Sequence, residues 1–390
     1  MVRFRDSTKF VFLLFICMFM TTCFSACFYF YTKNIASKQT EIVIEQHKVE
    51  IKQVEYSNNN IPTGAPTKST IENSLNSSVS VNATTKDGIS MGSGTIIGSD
   101  NTQYSYIVTC HHVVAGAYSN GIEITFNNGT KTQATFVGGD PKTDVAVLKI
   151  SGTNHTISES ILNNDQIFAG EDVYIIGNTL GLYGFSVMKG CLSQQQERQV
   201  NVPDYGVMDV LQTDGAVNEG VSGGGMFDAN GTLVGMISCG YDNTVAQNVN
   251  FVLPIYKVMD VVKALLENKD AETGYGYVPG RYNIDLTIAT WGDSPSYALV
   301  TDVPKNSSFY GTNKENSLMQ YDLLKSIQFD DGIVQTVPSA QGLVDIFSEA
   351  KLTNKLHVGT QIKIVACENR GINNVERLVT VTVKQYVYSL

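Results

Sequence analysis

Gly220-Val221-Ser222-Gly223-Gly224 decides the reading of this chain once two earlier segments are set beside it. These are Val108-Thr109-Cys110-His111-His112-Val113-Val114 and Asp140-Pro141-Lys142-Thr143-Asp144-Val145-Ala146-Val147-Leu148. A histidine, an aspartate and a serine stand in that order, each inside an apolar or glycine-rich frame. A Gly-x-Ser-Gly-Gly run alone occurs in ordinary turns, but three ordered segments across roughly one domain are hard to obtain by accident. A serine hydroxyl is a weak nucleophile until a base takes its proton, and that base needs an orienting partner. Ser222 is the candidate nucleophile, a histidine of the first segment the base, and Asp144 the group that fixes the imidazole tautomer. The backbone N–H groups of Gly220 and Ser222 are candidates for holding a developing oxyanion. Gly223 and Gly224 permit the tight, partly left-handed turn that presents the serine. His111 and His112 are adjacent, so their side chains point in different directions and only one can face Ser222.

The bulk composition narrows the class. The chain has 390 residues, 43% hydrophobic and 16% charged, with a net charge of −10. That length allows two domains and a tail at about 100–200 residues each. No Lys/Arg stripe is present, which argues against nucleic acid as a partner, because phosphate binding needs clustered cations. Cys17, Cys23 and Cys27 fall in an N-terminal apolar run, leaving Cys110, Cys191, Cys239 and Cys367 in the body. None has a Cys-x-x-Cys spacing, so no structural metal site is expected. Cys191–Cys239 is a possible bridge beside the reading of free or buried thiols.

Residues 10–31 form an almost unbroken apolar run, long enough for the roughly 20 residues a bilayer span needs. Arg3, Arg5 and Lys9 precede it and place that end in the cytoplasm, so the rest is expected outside. The alternative is a cleaved or lipidated leader, since Phe24-Ser25-Ala26-Cys27 loosely resembles a lipobox. Residues 32–69 read as a polar linker, with some helix or strand where Ile and Val recur in 41–55. From 70 to 268 short strands alternate with Gly, Asn and Asp turns, for example Ile122–Phe126, Val145–Ile150, Val173–Ile176 and Leu233–Ile237. This pattern predicts an all-β barrel or sandwich. Pro254–Glu267 follows as an amphipathic helix. After a Gly/Tyr-rich joint, residues 275–390 read as a smaller unit of mixed strands and helices.

The three motifs, with Leu211-Gln212-Thr213-Asp214 before the serine and Gly231-Thr232-Leu233-Val234-Gly235 after it, resemble the HtrA/DegP serine proteases. Asn250-Phe251-Val252-Leu253-Pro254-Ile255 is similar to the segment that closes their protease domain. The resemblance implies a chymotrypsin-like double β-barrel followed by a small α+β PDZ-like domain. It also implies a serine endopeptidase that degrades unfolded proteins outside the cytoplasm, as a trimer or larger homo-oligomer, without metal or organic cofactor. Thr109-x-x-His112 fits the family's histidine motif, making His112 the base and His111 a packed or solvated neighbour. Val221 stands where the family usually has asparagine, so the serine loop lacks one side-chain hydrogen bond. Ala216, six residues before the nucleophile, replaces the aspartate that cleavage after Lys or Arg needs. Ala216, Val217, Ile237, Ser238, Cys239 and Gly240 are therefore expected to form a small apolar pocket, with the 237–240 main chain pairing with substrate.

In the C-terminal unit, Tyr321-Asp322-Leu323-Leu324-Lys325-Ser326-Ile327 resembles the Gly-Asp-x-Ile-x-x-Ile strand of HtrA PDZ domains. Ser339–Ala350 fits the helix after it. Ile284-Asp285-Leu286 is the best match to the apolar-Gly-apolar loop that captures a peptide carboxylate. An aspartate there repels a terminal carboxylate, which favours internal strand addition or a docking role. Two rival functions share this frame: a latent or non-catalytic chaperone-like binding protein, and a processing protease with one substrate.

Overall fold

The computed structural model describes residues 39–44, 49–55, 64–163, 165–181, 184–202, 206–240, 248–292, 297–368, 375–388 and 390. The described chain divides between Glu267 and Asn268 into two compact units.

The first unit opens with the hairpin β1 (Gln39–Ile44) and β2 (Val49–Val54), then helix α1 (Lys68–Ser77), capped by the Thr67 hydroxyl on the Thr70 N–H. Six strands follow: β3 (Ser78–Thr85), β4 (Gly88–Ser99), β5 (Tyr104–Cys110), β6 (Ala117–Phe126), β7 (Lys131–Asp140) and β8 (Val145–Ser151). They pair in the order β4-β3-β6-β7-β8-β5, and β5 returns to β4, closing a barrel. One helical turn, α2 (His111–Val114), leaves the end of β5. After the short β9 (Ile161–Leu162) come β10 (Asp172–Gly177), β11 (Ser186–Val202), β12 (Gly206–Thr213), β13 (Gly225–Phe227), β14 (Leu233–Gly240) and β15 (Asn250–Pro254). These pair as β13-β10-β11-β12-β15-β14, with β14 returning to β13, a second closed barrel. Closure removes the sheet edges that invite aggregation. Helix α3 (Ile255–Glu267) ends the unit, burying Ile255, Val258, Val262 and Leu265 at helical spacing.

The sequence pattern locates these strands because many are buried throughout. Val145-Ala146-Val147-Leu148 is inaccessible at every position, as a β-branched run between two turns should be. The stretch read as linker is more structured than its composition suggests. In β2, Val49, Ile51 and Gln53 point inward while Glu50 and Lys52 point out. That period of two is the mark of a half-buried strand, and β2 pairs with β4 and β9 between the barrels. Cys191 is a free thiol, so the Cys191–Cys239 bridge is absent. The expected anchor at 10–31 lies outside the described residues. Among those described, no helix is long and apolar enough to cross a membrane.

The second unit is a small α+β fold. Strands β16 (Thr287–Trp291), β17 (Tyr297–Asp302), β18 (Asp322–Gln328), β20 (Gln361–Glu368) and β21 (Val375–Thr382) pair in the order β16-β17-β18-β20-β21, and β19 (Val334–Thr336) pairs with β18. Helix α4 (Ala340–Leu352) is capped by the Ser339 hydroxyl on the Gly342 N–H. The core collects Val300, Phe309, Leu324, Leu343, Ile364 and Val381. Tyr321, at the glycine position of the strand motif, adopts φ +73°, the left-handed region that favours glycine.

His111 is packed, only 4% exposed, inside the first barrel. Burial pushes its pKa down from 6.5 to about 4, against the pull of Asp144 and Asp140. The folded state therefore holds His111 neutral, whereas the unfolded chain protonates it as the pH falls below its ordinary value. Its contribution to stability is complete above about pH 6.5 and is lost as the pH falls toward about 4. The loss amounts to about 3 kcal/mol. Urea unfolding at both ends of this window should show the parent losing about that much more stability than His111→Asn; equal losses in the two proteins would assign the acid sensitivity elsewhere.

Candidate active site

Strand register brings the histidine and the aspartate together. In the β5–β8 pair Cys110 lies opposite Val145, so the chain leaving β5 as α2 runs beside Asp144, the residue just before β8. Asp144 takes φ +55°, a left-handed conformation that aspartate tolerates better than most residues. Its carbonyl accepts the His111 N–H at 3.0 Å, and its Oδ1 accepts the His112 N–H at 2.9 Å. The same carboxylate lies 2.9 and 3.1 Å from His112 Nδ1. This leaves Nε2, the far ring nitrogen, free of the carboxylate, with the proton of the neutral imidazole on Nδ1.

Asp144 is fully buried and Ser238 Oγ, from β14 of the second barrel, donates to its Oδ2 at 2.9 Å. Burial opposes ionisation of the Asp144 carboxyl, but the hydrogen bond and charge of His112, its amide and the Ser238 hydroxyl outweigh that effect and hold it below the usual carboxylate range. The donor atoms of Cys110, His112 and Asp144 lie within 4.8 Å of one another. Both Asp144 oxygens already accept hydrogen bonds, however, so the group reads as an oriented histidine rather than a metal set.

Ser222 arrives from the second barrel on the turn before β13. Its Oγ donates to the Ser238 carbonyl at 3.1 Å, so Ser238 touches the serine through its carbonyl and Asp144 through its hydroxyl. Ser93 fastens the serine turn to the first barrel at two points, and Thr109 in turn holds Ser93. Ser93 N donates to the Ser222 carbonyl at 2.8 Å, Ser93 Oγ to the Gly220 carbonyl at 2.7 Å, and Thr109 Oγ1 to the Ser93 carbonyl at 2.7 Å. Val221 is buried and packs where a Cβ on Gly177 would stand, so the loop is held by Ser93 and apolar packing in place of the missing asparagine. Gly220 has φ +88°, and a Cβ there would come within 2.4 Å of the Asn178 carbonyl. Among the described residues, neither the Gly220 nor the Ser222 N–H donates a hydrogen bond.

The expected pocket residues separate. Ala216 is exposed and Val217 half-buried, as pocket rims are, whereas Ile237 is inaccessible. The Ile237 N–H donates to Gly224 and its carbonyl accepts from Gly223 and Cys110, so this residue has no main-chain group left for a substrate. The Ser238 hydroxyl faces Asp144, which takes it out of the expected pocket lining. The side chain of Cys239 and the exposure of Gly240 lie outside the described residues. Ser93 carried no signal in the sequence reading; its role comes from the β4–β5 register, which sets Gly94 opposite Thr109.

Gly223 carries the tightest constraint: φ is +83° and a Cβ would stand 2.2 Å from the Ser93 carbonyl. Gly223→Ala is expected to cost at least about 2 kcal/mol by urea unfolding. Ser222→Ala, which removes only a hydroxyl, should unfold at nearly the parent's midpoint. Parental stability of the Gly223→Ala protein would contradict this packing of the turn.

Comparison with known proteins agrees with this geometry. Residues 92–236 match the family described as a trypsin-like peptidase domain. A probable periplasmic serine endoprotease, DegP-like, of Pseudomonas putida (strain GB-1) is 34% identical over 223 residues, 57% of this chain and 44% of the relative. The serine protease Do-like HtrB of Bacillus subtilis (strain 168) is 34% identical over 227 residues, 55% of this chain and 49% of the relative. The periplasmic serine endoprotease DegP of Escherichia coli (strain K12) is 30% identical over 228 residues, 56% and 45%. The chain thus spans about half the length of the curated relatives it matches. A solved variant of the HtrA-type protease AlgW with a tripeptide shares the fold, with a TM-score of 0.50 and 23% identity over 81% of this chain and 96% of that one. Residues 92–236 thus match a trypsin-like peptidase domain, and the chain is similar to serine endoproteases of the HtrA/DegP type over about half of their length.

Proposed function

We propose that this chain is a serine endopeptidase that hydrolyses peptide bonds of unfolded or damaged proteins outside the cytoplasm, with Ser222 as nucleophile, His112 as base and Asp144 as its orienter. The observation that carries this reading is the buried Asp144 carboxylate bound to His112 Nδ1 at 2.9 Å, with Ser222 on a glycine turn one residue, Ser238, away. Rotation about the Ser222 Cα–Cβ bond releases its hydroxyl from the Ser238 carbonyl, and His112 Nε2 then takes the proton as Oγ attacks the substrate carbonyl. The Gly220 and Ser222 N–H groups receive the oxyanion. His112 returns the proton to the departing amine, leaving an acyl-enzyme, and a water activated by the same imidazole releases the acid.

The names of the relatives, periplasmic endoproteases among them, support the extracytoplasmic setting. In this proposal residues 10–31 tether the chain to the membrane with its N-terminus in the cytoplasm, and copies of the chain assemble as homo-oligomers. The second unit acts as a PDZ-like peptide binder, with Ile284, Asp285 and Leu286 at the head of its groove. A latent enzyme or chaperone-like binder is the second reading, favoured by one observation: the Ser222 hydroxyl is engaged by a backbone carbonyl.

Casein hydrolysis by the full chain, beside Ser222→Ala, separates the two. Loss of the nucleophile should lower turnover by about 10⁶, and Asp144→Asn by about 10⁴ through the wrong imidazole tautomer. No hydrolysis by folded parent protein favours the latent reading, and near-full activity of Asp144→Asn rejects Asp144.

A further inference from the structure

We propose that the groove between β16 and α4 selects an extended peptide that presents a lysine or arginine beside an apolar side chain and has no free carboxylate at that point, with Asp285 as the selecting residue. This rests on the PDZ-like reading of the second unit. It departs from carboxylate capture because of three features of that groove.

The first is an open strand edge. β16 pairs with β17 along one side only, so alternate backbone groups of Thr287–Trp291 are available to a further strand. Helix α4 stands beside that strand, with the Ala340 N–H donating to Thr290 Oγ1 at 3.3 Å. The second is an apolar floor: Ile284, Leu286, Ile288 and Phe347 are half-buried and pack on the core of the unit. A strand laid here would seat alternate apolar side chains on it.

The third feature is the head of the groove. A carboxylate-capturing loop needs unoccupied, convergent N–H groups and no anion among them. Here Asn283 Oδ1 accepts the Asp285 N–H at 2.8 Å, so the central amide is already used. The Asp285 side chain is exposed and forms no ion pair among the described residues. A fixed negative charge at this position attracts a cation and repels a carboxylate over the same few ångströms. The apolar floor then sets what accompanies that cation.

The full chain carrying Ser222→Ala keeps added peptides intact. Three fluorescein-labelled peptides share one apolar core: one ends in a free carboxylate, one is amidated, and one continues into lysine amide. Anisotropy titrations at low salt should rank lysine amide tightest and free carboxylate weakest, about fivefold or more apart. That gap should shrink in about 0.5 M salt. Asp285→Asn, which keeps the shape and the Asn283 bond, should erase the preference for lysine. Asp285→Gly should raise affinity for the free carboxylate. Trp291, the single tryptophan and 51% exposed on β16, gives a second readout through its fluorescence. Tightest binding of the free carboxylate, or a ranking unmoved by Asp285→Asn, overturns the inference while leaving the groove in place. Absence of binding by all three peptides to folded protein overturns the PDZ-like reading along with it, and casein hydrolysis by the parent is independent of both outcomes.

Discussion

The buried Asp144 carboxylate is the constraint on which the first unit turns. An ion wholly withdrawn from water costs several kcal/mol unless donors replace its hydration. The chain supplies them from both barrels: the His112 amide and ring from the first, and the Ser238 hydroxyl from the second. The carboxylate therefore aligns the imidazole and joins the two barrels at the same point. Ser93 makes the reciprocal link, reaching from the first barrel to the Gly220 and Ser222 carbonyls on the serine turn. Displacing either barrel leaves polar groups without partners, so assembly of the site and packing of the unit are coupled.

The serine turn itself shows how a departure from the family pattern is absorbed. The valine side chain at position 221 makes no hydrogen bond, and its burial against the Gly177 backbone holds the loop by packing. Asn250 adds a further polar tie, donating from its amide to the Gly215 carbonyl at 2.8 Å. The second unit departs more sharply. There Tyr321 takes a left-handed φ of +73°, and the Asp285 N–H is bound to Asn283 Oδ1 beneath an exposed carboxylate.

Much of this was legible in the sequence because the signals are local. Asp144 before an apolar run and Gly-x-Ser-Gly-Gly mark turns whose left-handed positions, Asp144, Gly220 and Gly223, suit those residue types, and Thr109-x-x-His112 marks the end of β5. The helices α3 and α4 announce themselves by apolar spacing, and α4 also by its Ser339 cap. What escaped depends on register between distant strands. Ser93 is one serine among many until β4 pairs with β5, and Ser238 looked like pocket lining until its hydroxyl met Asp144. Ile237 reads as a substrate-pairing residue only until the β13–β14 connection takes both its backbone groups. The β1–β2 hairpin was legible only as Ile and Val recurring in 41–55, since outward Glu and Lys residues conceal a period of two when polarity is averaged over a stretch.

The most direct test of the central claim, that His112 held by Asp144 activates Ser222, is covalent rather than catalytic. A fluorophosphonate transfers its phosphonyl group to an activated serine Oγ with loss of fluoride, and peptide mass mapping locates the adduct. The account predicts one adduct, on the peptide containing Ser222, abolished in Ser222→Ala and strongly slowed in His112→Ala. An adduct on another serine, or labelling of Ser222 at the parental rate without His112, would contradict it.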